Sequence, residues 1–265
     1  MRVLVTGASG FLGLALLPRL ATAGWEVAAT GRRPEFPGAL PARATYRPAD
    51  LRAPSPWRWL PARSDAQIHL AQGEGSPEAG REVAVTATKH LLGWAAMAGV
   101  RTLILASSGN AAHPAASDAY GLARQAAEQA VLSAPLPRAV VLRFHTLFGP
   151  GQGPARLVPR LAEAVRHGHP IQVAAPDGVL LSLTGVSDAV EAVLRCLDHP
   201  RVHGLFDVAG PETLSVGGIA RRLAAAAGRP PLLVPRPPAP GERDLVGDPE
   251  PLFRATGFRP SGRLP

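Results

Sequence analysis

Along the chain, short unbroken apolar runs alternate with longer stretches in which apolar residues recur at helical spacing. RVLVTG (2–7) is the first run, and FLGLALLPRLATAG (11–24) follows with a period near 3.6, closed by Gly24 as a C-cap signal. WEVAATG (25–31), AQIHLA (66–71), RTLILASS (101–108) and RAVVLRFH (138–145) repeat the strand pattern. Helical stretches at 83–100 and from about Asp118 onward lie between them. Strands apolar at nearly every position are buried on both faces, so the pattern predicts a Rossmann-type α/β fold, a doubly wound parallel sheet. After FGPGQGP (148–154) the texture changes to a helix (156–167), a short strand near Ile171, a helix from Ser187 to Leu197, a strand near Phe206 and a helix from Val216 to Ala227. These segments predict a Rossmann-type unit over 1–150, with returning segments from about 182–210, and a small second lobe over 151–265. The proline-rich stretch 230–240 reads as a loop.

Composition narrows the picture in three ways. A hydrophobic content of 46% over 265 residues supports a substantial core. No apolar run reaches the length of a membrane helix. The formal net charge is +8, but the arginines are dispersed, Lys89 is the only lysine, and no basic block is interleaved with aromatics. Nucleic acid is therefore not an expected partner, and the charge instead favours anionic small molecules. Cys196 stands alone in an apolar helical context, so no disulfide framework is expected and a reducing cytoplasm is the natural compartment. The basic, apolar N-terminus resembles a signal peptide, but its glycine spacing argues for another use.

That spacing is TGASGFLG, with Gly7, Gly10 and Gly13 between the first strand and the first helix. The first glycine turns the chain, the second lets a diphosphate approach the backbone, and the third lets helix and strand pack closely. Ser9, Phe11 and Leu12 complete the turn and the helix start, whose dipole and N–H groups suit phosphates. At the end of the second strand an acid would bind a ribose 2′-hydroxyl. The chain has Gly31-Arg32-Arg33 instead, which favours NADP, with NAD as the alternative.

Taken together, the motifs resemble the extended short-chain dehydrogenase/reductase superfamily, in its NAD(P)-dependent epimerase/dehydratase-like branch. Asp50 and Leu51 are similar to the segment that contacts adenine, and His69-Leu70-Ala71 to the strand end beside the cofactor. LILASS (103–108) resembles the strand that carries a catalytic hydroxyl, at Ser108. YGLARQAAE (120–128) resembles YGxSKxxxE, except at Ala123 and Arg124. LRFHTLFGPGQ (142–152), GVSDAVEAV (185–193) and TGFRP (256–260) resemble three further family motifs. Ser108 is followed by Gly109 and Asn110 rather than Asp-Glu, which argues against dehydration. Thr146 stands for the usual asparagine, and Leu181 for an arginine that grips a substrate diphosphate. The resemblance implies a small carbonyl or alcohol as substrate, with nucleotide sugars in the class. The departures and the compact lobe favour a smaller ligand.

Tyr120 and Arg124 lie four residues apart, on one helical face, after the good N-caps Ser117 and Asp118. A cation held near a phenol favours its ionised form, so Tyr120 can exchange a proton with an alcohol or carbonyl while hydride moves to or from nicotinamide. Ser108 would orient the same oxygen. His69, His113 and His145 show no metal-ligand spacing, and no metal is expected; His113 is a weak candidate for facing substrate. The expected protein is a reductase or epimerase slowed by Arg124, and the alternative is a non-catalytic NADP-binding sensor or scaffold. A homodimer is expected through helices 83–98 and 118–132, packed by Ala87, Leu91, Ala95, Ala126 and Ala130.

Overall fold

The computed structural model describes residues 1–52, 60–72, 80–115 and 118–265. Seven strands form the central sheet: β1 (Arg2–Thr6), β2 (Glu26–Gly31), β3 (Ala44–Pro48), β4 (Ala66–His69), β5 (Thr102–Ser108), β6 (Ala139–Phe144) and β10 (Gly204–Val208). Their order is β10-β6-β5-β4-β1-β2-β3, and every pairing is parallel. The order reverses between β1 and β4, so a crevice opens there at the carboxyl ends of the strands, where such sheets hold ligands.

Alternate residues of the strands feed two cores. Val3, Val5, Ile68 and Ile104 pack with α1 (Phe11–Thr22) and α5 (Val186–Asp198). Leu4 faces the other way, toward α2 (Thr88–Met97), and Leu103 and Leu105 toward α3 (Ala119–Leu132). This period of two, with both faces covered, is why the runs look continuously apolar. A π-helical segment, Glu82–Ala87, leads into α2. Ser117 lies outside the described residues, while Asp118 caps α3 by accepting the Gly121 N–H at 2.8 Å.

The lobe has its own core, in which Val158, Leu161 and Val165 of α4 (Leu157–His167) meet Ile219, Ala220 and Ala224 of α6 (Val216–Ala227). Two small sheets flank it. One joins β7 (Leu147–Phe148), β9 (Leu180–Gly185) and β11 (Glu212–Ser215); the other joins β8 (Pro170–Ala174) and β12 (Leu232–Arg236). Of the returning segment, α5 and β10 join the large unit, whereas β9 belongs to the lobe.

Two expectations need correcting. The stretch 230–240 is not all loop, because Leu232–Arg236 pairs in parallel with β8. A two-stranded sheet consists of edges, where Pro235 is tolerated. Ala87, Leu91 and Ala95 are fully buried within the chain, so they cannot form a dimer face; helical spacing alone does not tell an inward stripe from an outward one. The sequence pattern also omitted α7 (Glu250–Thr256), a short helix ended by Gly257 at φ 70°.

Candidate active site

A cavity of about 440 Å³ opens at the β1/β4 crevice. Gly7, Ser9, Gly10, Phe11, Leu12 and Gly13 form one wall, Arg32, Arg33, Asp50 and Leu51 one end, and Leu70 and Ala71 the floor beside them. The backbone explains the glycines. Gly7 has φ +72°, and a Cβ there would come within 2.5 Å of the Ala71 nitrogen. A Cβ on Gly13 would lie 2.5 Å from the Ala8 carbonyl oxygen. The first turn of α1 has no side-chain cap and no acidic residue. Its N–H groups are thus left for an anion.

Arg32 and Arg33 follow β2 into the cavity, and the Asp50 carboxylate lies close enough to feel the Arg32 charge. The Tyr46 hydroxyl donates to the Arg33 carbonyl at 2.7 Å and steadies this corner. Asp50 accepts from Arg52 through both oxygens, at 2.6 Å from Nη2 and 3.0 Å from Nε. The Arg52 guanidinium holds the Asp50 carboxyl below its ordinary range.

Tyr120 also lines the cavity and is 39% exposed. Arg124 lies behind it, with Cζ 5.4 Å from the Tyr120 ring centroid. Arg124 is 1% exposed, and none of its three side-chain nitrogens has a hydrogen-bond partner among the described residues. Burial pushes its pKa down, opposed by Tyr120 and Glu128, but a guanidinium in a protein remains charged. Glu128, one turn further, is already engaged. It accepts Ser107 Oγ at 2.5 Å and a fork from Arg143 at 2.9 and 2.6 Å. Glu128 is therefore not the acceptor for Arg124, whose donors stay buried behind Tyr120. His69 also faces this cluster. Its Nδ1 lies 2.6 Å from Thr6 Oγ1 and its Nε2 3.2 Å from Thr88 Oγ1, and burial, aided by Arg124, pushes its pKa down to about 3.

Ser108 and Arg124 do not lie on the cavity wall. Ser108 Oγ donates to Asn110 Oδ1 at 3.4 Å and accepts the Asn110 N–H at 3.3 Å, while its neighbour Ser107 lines the cavity. Phe144, His145, Thr146, Leu147, Gln152 and Arg156 complete the wall. Most of these fall in the LRFHTLFGPGQ motif, whose contact with the cavity the sequence motif alone does not specify. Both His145 nitrogens face protein groups: Nδ1 is 3.4 Å from the Leu245 carbonyl and Nε2 3.3 Å from Asp207 Oδ1. His113 is exposed and off the wall. Leu181 is buried in the lobe core.

The profile of the NAD dependent epimerase/dehydratase family matches residues 3–209. The chain belongs to that family. It is accordingly an NAD(P)-dependent enzyme of the reductase or epimerase type. The dTDP-4-dehydro-6-deoxy-D-allose reductase of Streptomyces bikiniensis is 26% identical over 267 residues, covering 86% of this chain and 82% of that protein. The 2-alkyl-3-oxoalkanoate reductase of Stenotrophomonas maltophilia (strain K279a) is 30% identical over 190 residues, 63% of this chain and 57% of that protein. The structure of MoeE5 in complex with UDP-glucose and NAD superimposes with a TM-score of 0.87 at 25% identity, covering 100% of this chain and 95% of that one. In this family member, the turn Gly7–Gly13 and Tyr120 share one cavity.

Proposed function

We propose that this protein transfers hydride between a nicotinamide dinucleotide and the carbonyl or secondary-alcohol carbon of a small substrate, with Tyr120 as the acid–base group. The observation that carries this reading is a buried Arg124, without a hydrogen-bond partner among the described residues, directly behind a cavity-lining Tyr120. Gly7, Gly10 and Gly13 seat the diphosphate, Asp50 and Leu51 border the adenine, Leu70 and Ala71 run beside the dinucleotide, and Arg124, buried behind Tyr120, turns toward the cavity to hold the nicotinamide ribose. A bound nicotinamide supplies or accepts the hydride. Tyr120 Oη gives its proton to the carbonyl oxygen in reduction, or takes one from the alcohol in oxidation. Ser108 Oγ turns from Asn110 to donate to the same oxygen, an exchange of weak bonds at 3.3–3.4 Å. Arg124 stabilises the charge left on Tyr120.

Arg32 and Arg33 favour NADPH through charge-assisted bonds to the 2′-phosphate. We expect NADPH to bind more tightly than NADH by about 1–3 kcal/mol. Equal affinities in calorimetry contradict this. Leu181, buried in the lobe core, favours a small carbonyl compound over a nucleotide sugar. The alkyl-oxoalkanoate reductase relative supports that choice, while the allose reductase relative keeps a nucleotide sugar as the comparison substrate. The test follows NADPH oxidation with ethyl 2-methyl-3-oxobutanoate and with a dTDP-4-keto sugar. Faster turnover of the ester is expected, and turnover of the sugar alone reverses the assignment. We further propose a cytoplasmic location, on the strength of the lone buried Cys196, and a division into a dinucleotide unit and a substrate lobe. Among the described residues, no helix is long and apolar enough to cross a membrane.

A further inference from the structure

We propose that Arg243, far from Tyr120 in sequence, is a positioning residue that sets the Ser108 and Tyr120 hydroxyls relative to one another. The inference rests on the reading of those two groups as the reacting pair. Arg243 Nη2 donates to Asp118 Oδ2 at 2.7 Å and to the Asn110 carbonyl at 3.2 Å. Each acceptor governs one of the two hydroxyls. Asp118 Oδ1 caps α3 through the N–H of Gly121, the residue next to Tyr120. Asn110 contacts Ser108 Oγ through both its N–H and its side chain. One guanidinium nitrogen thus joins the loop after β5 to the start of α3. The three segments meet over Gly121, where a Cβ would come within 2.5 Å of Asp118 Oδ2 and 2.7 Å of the Asn110 carbonyl oxygen.

The base from which Arg243 reaches is firm. Asp244 Oδ1 accepts the Leu180 N–H at 2.7 Å, Leu245 exchanges backbone bonds with Leu180 and Ser182 at 2.8 and 3.0 Å, and Gly247 donates to Ser182 Oγ at 3.2 Å. Arg243 is therefore carried on a strap fastened to β9 of the lobe, and its side chain is only partly exposed. None of Arg243, Asp118 and Asn110 lines the cavity. Their effect on turnover passes through Tyr120 and Ser108.

The experiment measures kcat and KM with NADPH and ethyl 2-methyl-3-oxobutanoate, NADPH affinity and thermal midpoint. The variants are Arg243→Ala, Arg243→Lys, Asp118→Asn, Tyr120→Phe, the Arg243→Ala/Asp118→Asn double and the Arg243→Ala/Tyr120→Phe double. Asparagine caps a helix as well as aspartate does, so Asp118→Asn removes the tie and keeps the cap. Arg243→Ala and Asp118→Asn should each lower kcat by roughly 10- to 100-fold, the scale of a small misplacement of reacting groups. NADPH affinity and KM should stay within about two-fold, and the first double variant should equal Arg243→Ala, because the tie to Asp118 is already lost there. Arg243→Lys should restore most of the rate, and Arg243→Ala should add no loss to Tyr120→Phe. Wild-type kcat in Arg243→Ala, multiplied losses in either double variant, or loss of NADPH binding and thermal stability in step with the rate overturns the proposal. If Tyr120→Phe turns over like wild type, or wild type does not reduce the ester, the reading of the reacting pair fails and the proposal falls with it.

Discussion

Arg124 shows how one side chain can be legible in the sequence while its setting is not. Four-residue spacing puts Tyr120, Arg124 and Glu128 on one helical face, but it does not say which of them pair. In the fold, Ser107 and Arg143 take Glu128 and leave Arg124 with unused donors. An Arg124→Lys protein should keep or raise turnover, because the ammonium retains the charge on a smaller head. A rate at least tenfold lower in steady-state assays would contradict that role. Glu128→Ala strands the Arg143 cation, whose side chain is 16% exposed, and should cost about 3–5 kcal/mol in urea unfolding. His69 gives a pH signature. Its folded pKa is about 3, whereas a free histidine titrates near ~6.5. Below that value the unfolded chain takes up a proton that the folded chain refuses. The contribution is complete above the unfolded pKa and is lost at about 1.4 kcal/mol per pH unit as pH falls toward the folded one. His69→Asn should flatten the slope of stability between about pH 6.5 and 4.5, seen in urea midpoints. An unchanged slope would mean that another group titrates.

At the scale of elements, the strands of the central sheet and the glycine turn follow from local pattern, because burial on both faces leaves a continuous apolar run. Short strands such as β7 and β11 do not, since four residues or fewer carry no period and exist only through their partners. The inward stripe of α2 was legible as a stripe, but not as inward. Ser108 likewise occupies the motif position, while its rotamer follows from Asn110. Two glycines of the turn have separable jobs. Gly13→Ala forces a Cβ against the Ala8 backbone and should cost about 1–3 kcal/mol of stability. A Cβ on Gly10 meets only the Gly7 carbonyl oxygen, at 3.2 Å. Gly10→Ala should therefore keep thermal stability near wild type while weakening NADPH binding by roughly tenfold or more, as the diphosphate loses its close approach. Equal effects of the two substitutions on melting and binding would contradict this division.

For the whole molecule, the central sheet carries the glycine-turn crevice and the lobe packs on its own core, and the strap that bears Arg243 joins β9 of the lobe to the start of α3. Association belongs to this scale as well. With Ala87, Leu91 and Ala95 committed to the core, a dimer through α2 and α3 would use their outer positions, including Leu122 at 38% exposure. Light scattering at micromolar protein should then give twice the chain mass, and Leu122→Glu should return it to a monomer. A wild-type monomer contradicts the pairing. We propose that the glycine-turn cavity and Tyr120 form one reaction centre. This is tested most directly by comparing Tyr120→Phe with wild type for NADPH affinity and for NADPH oxidation with ethyl 2-methyl-3-oxobutanoate. The account predicts unchanged affinity and a turnover lowered by roughly 100-fold or more, the contribution of a lost acid–base group. Wild-type turnover in the Tyr120→Phe protein would contradict it.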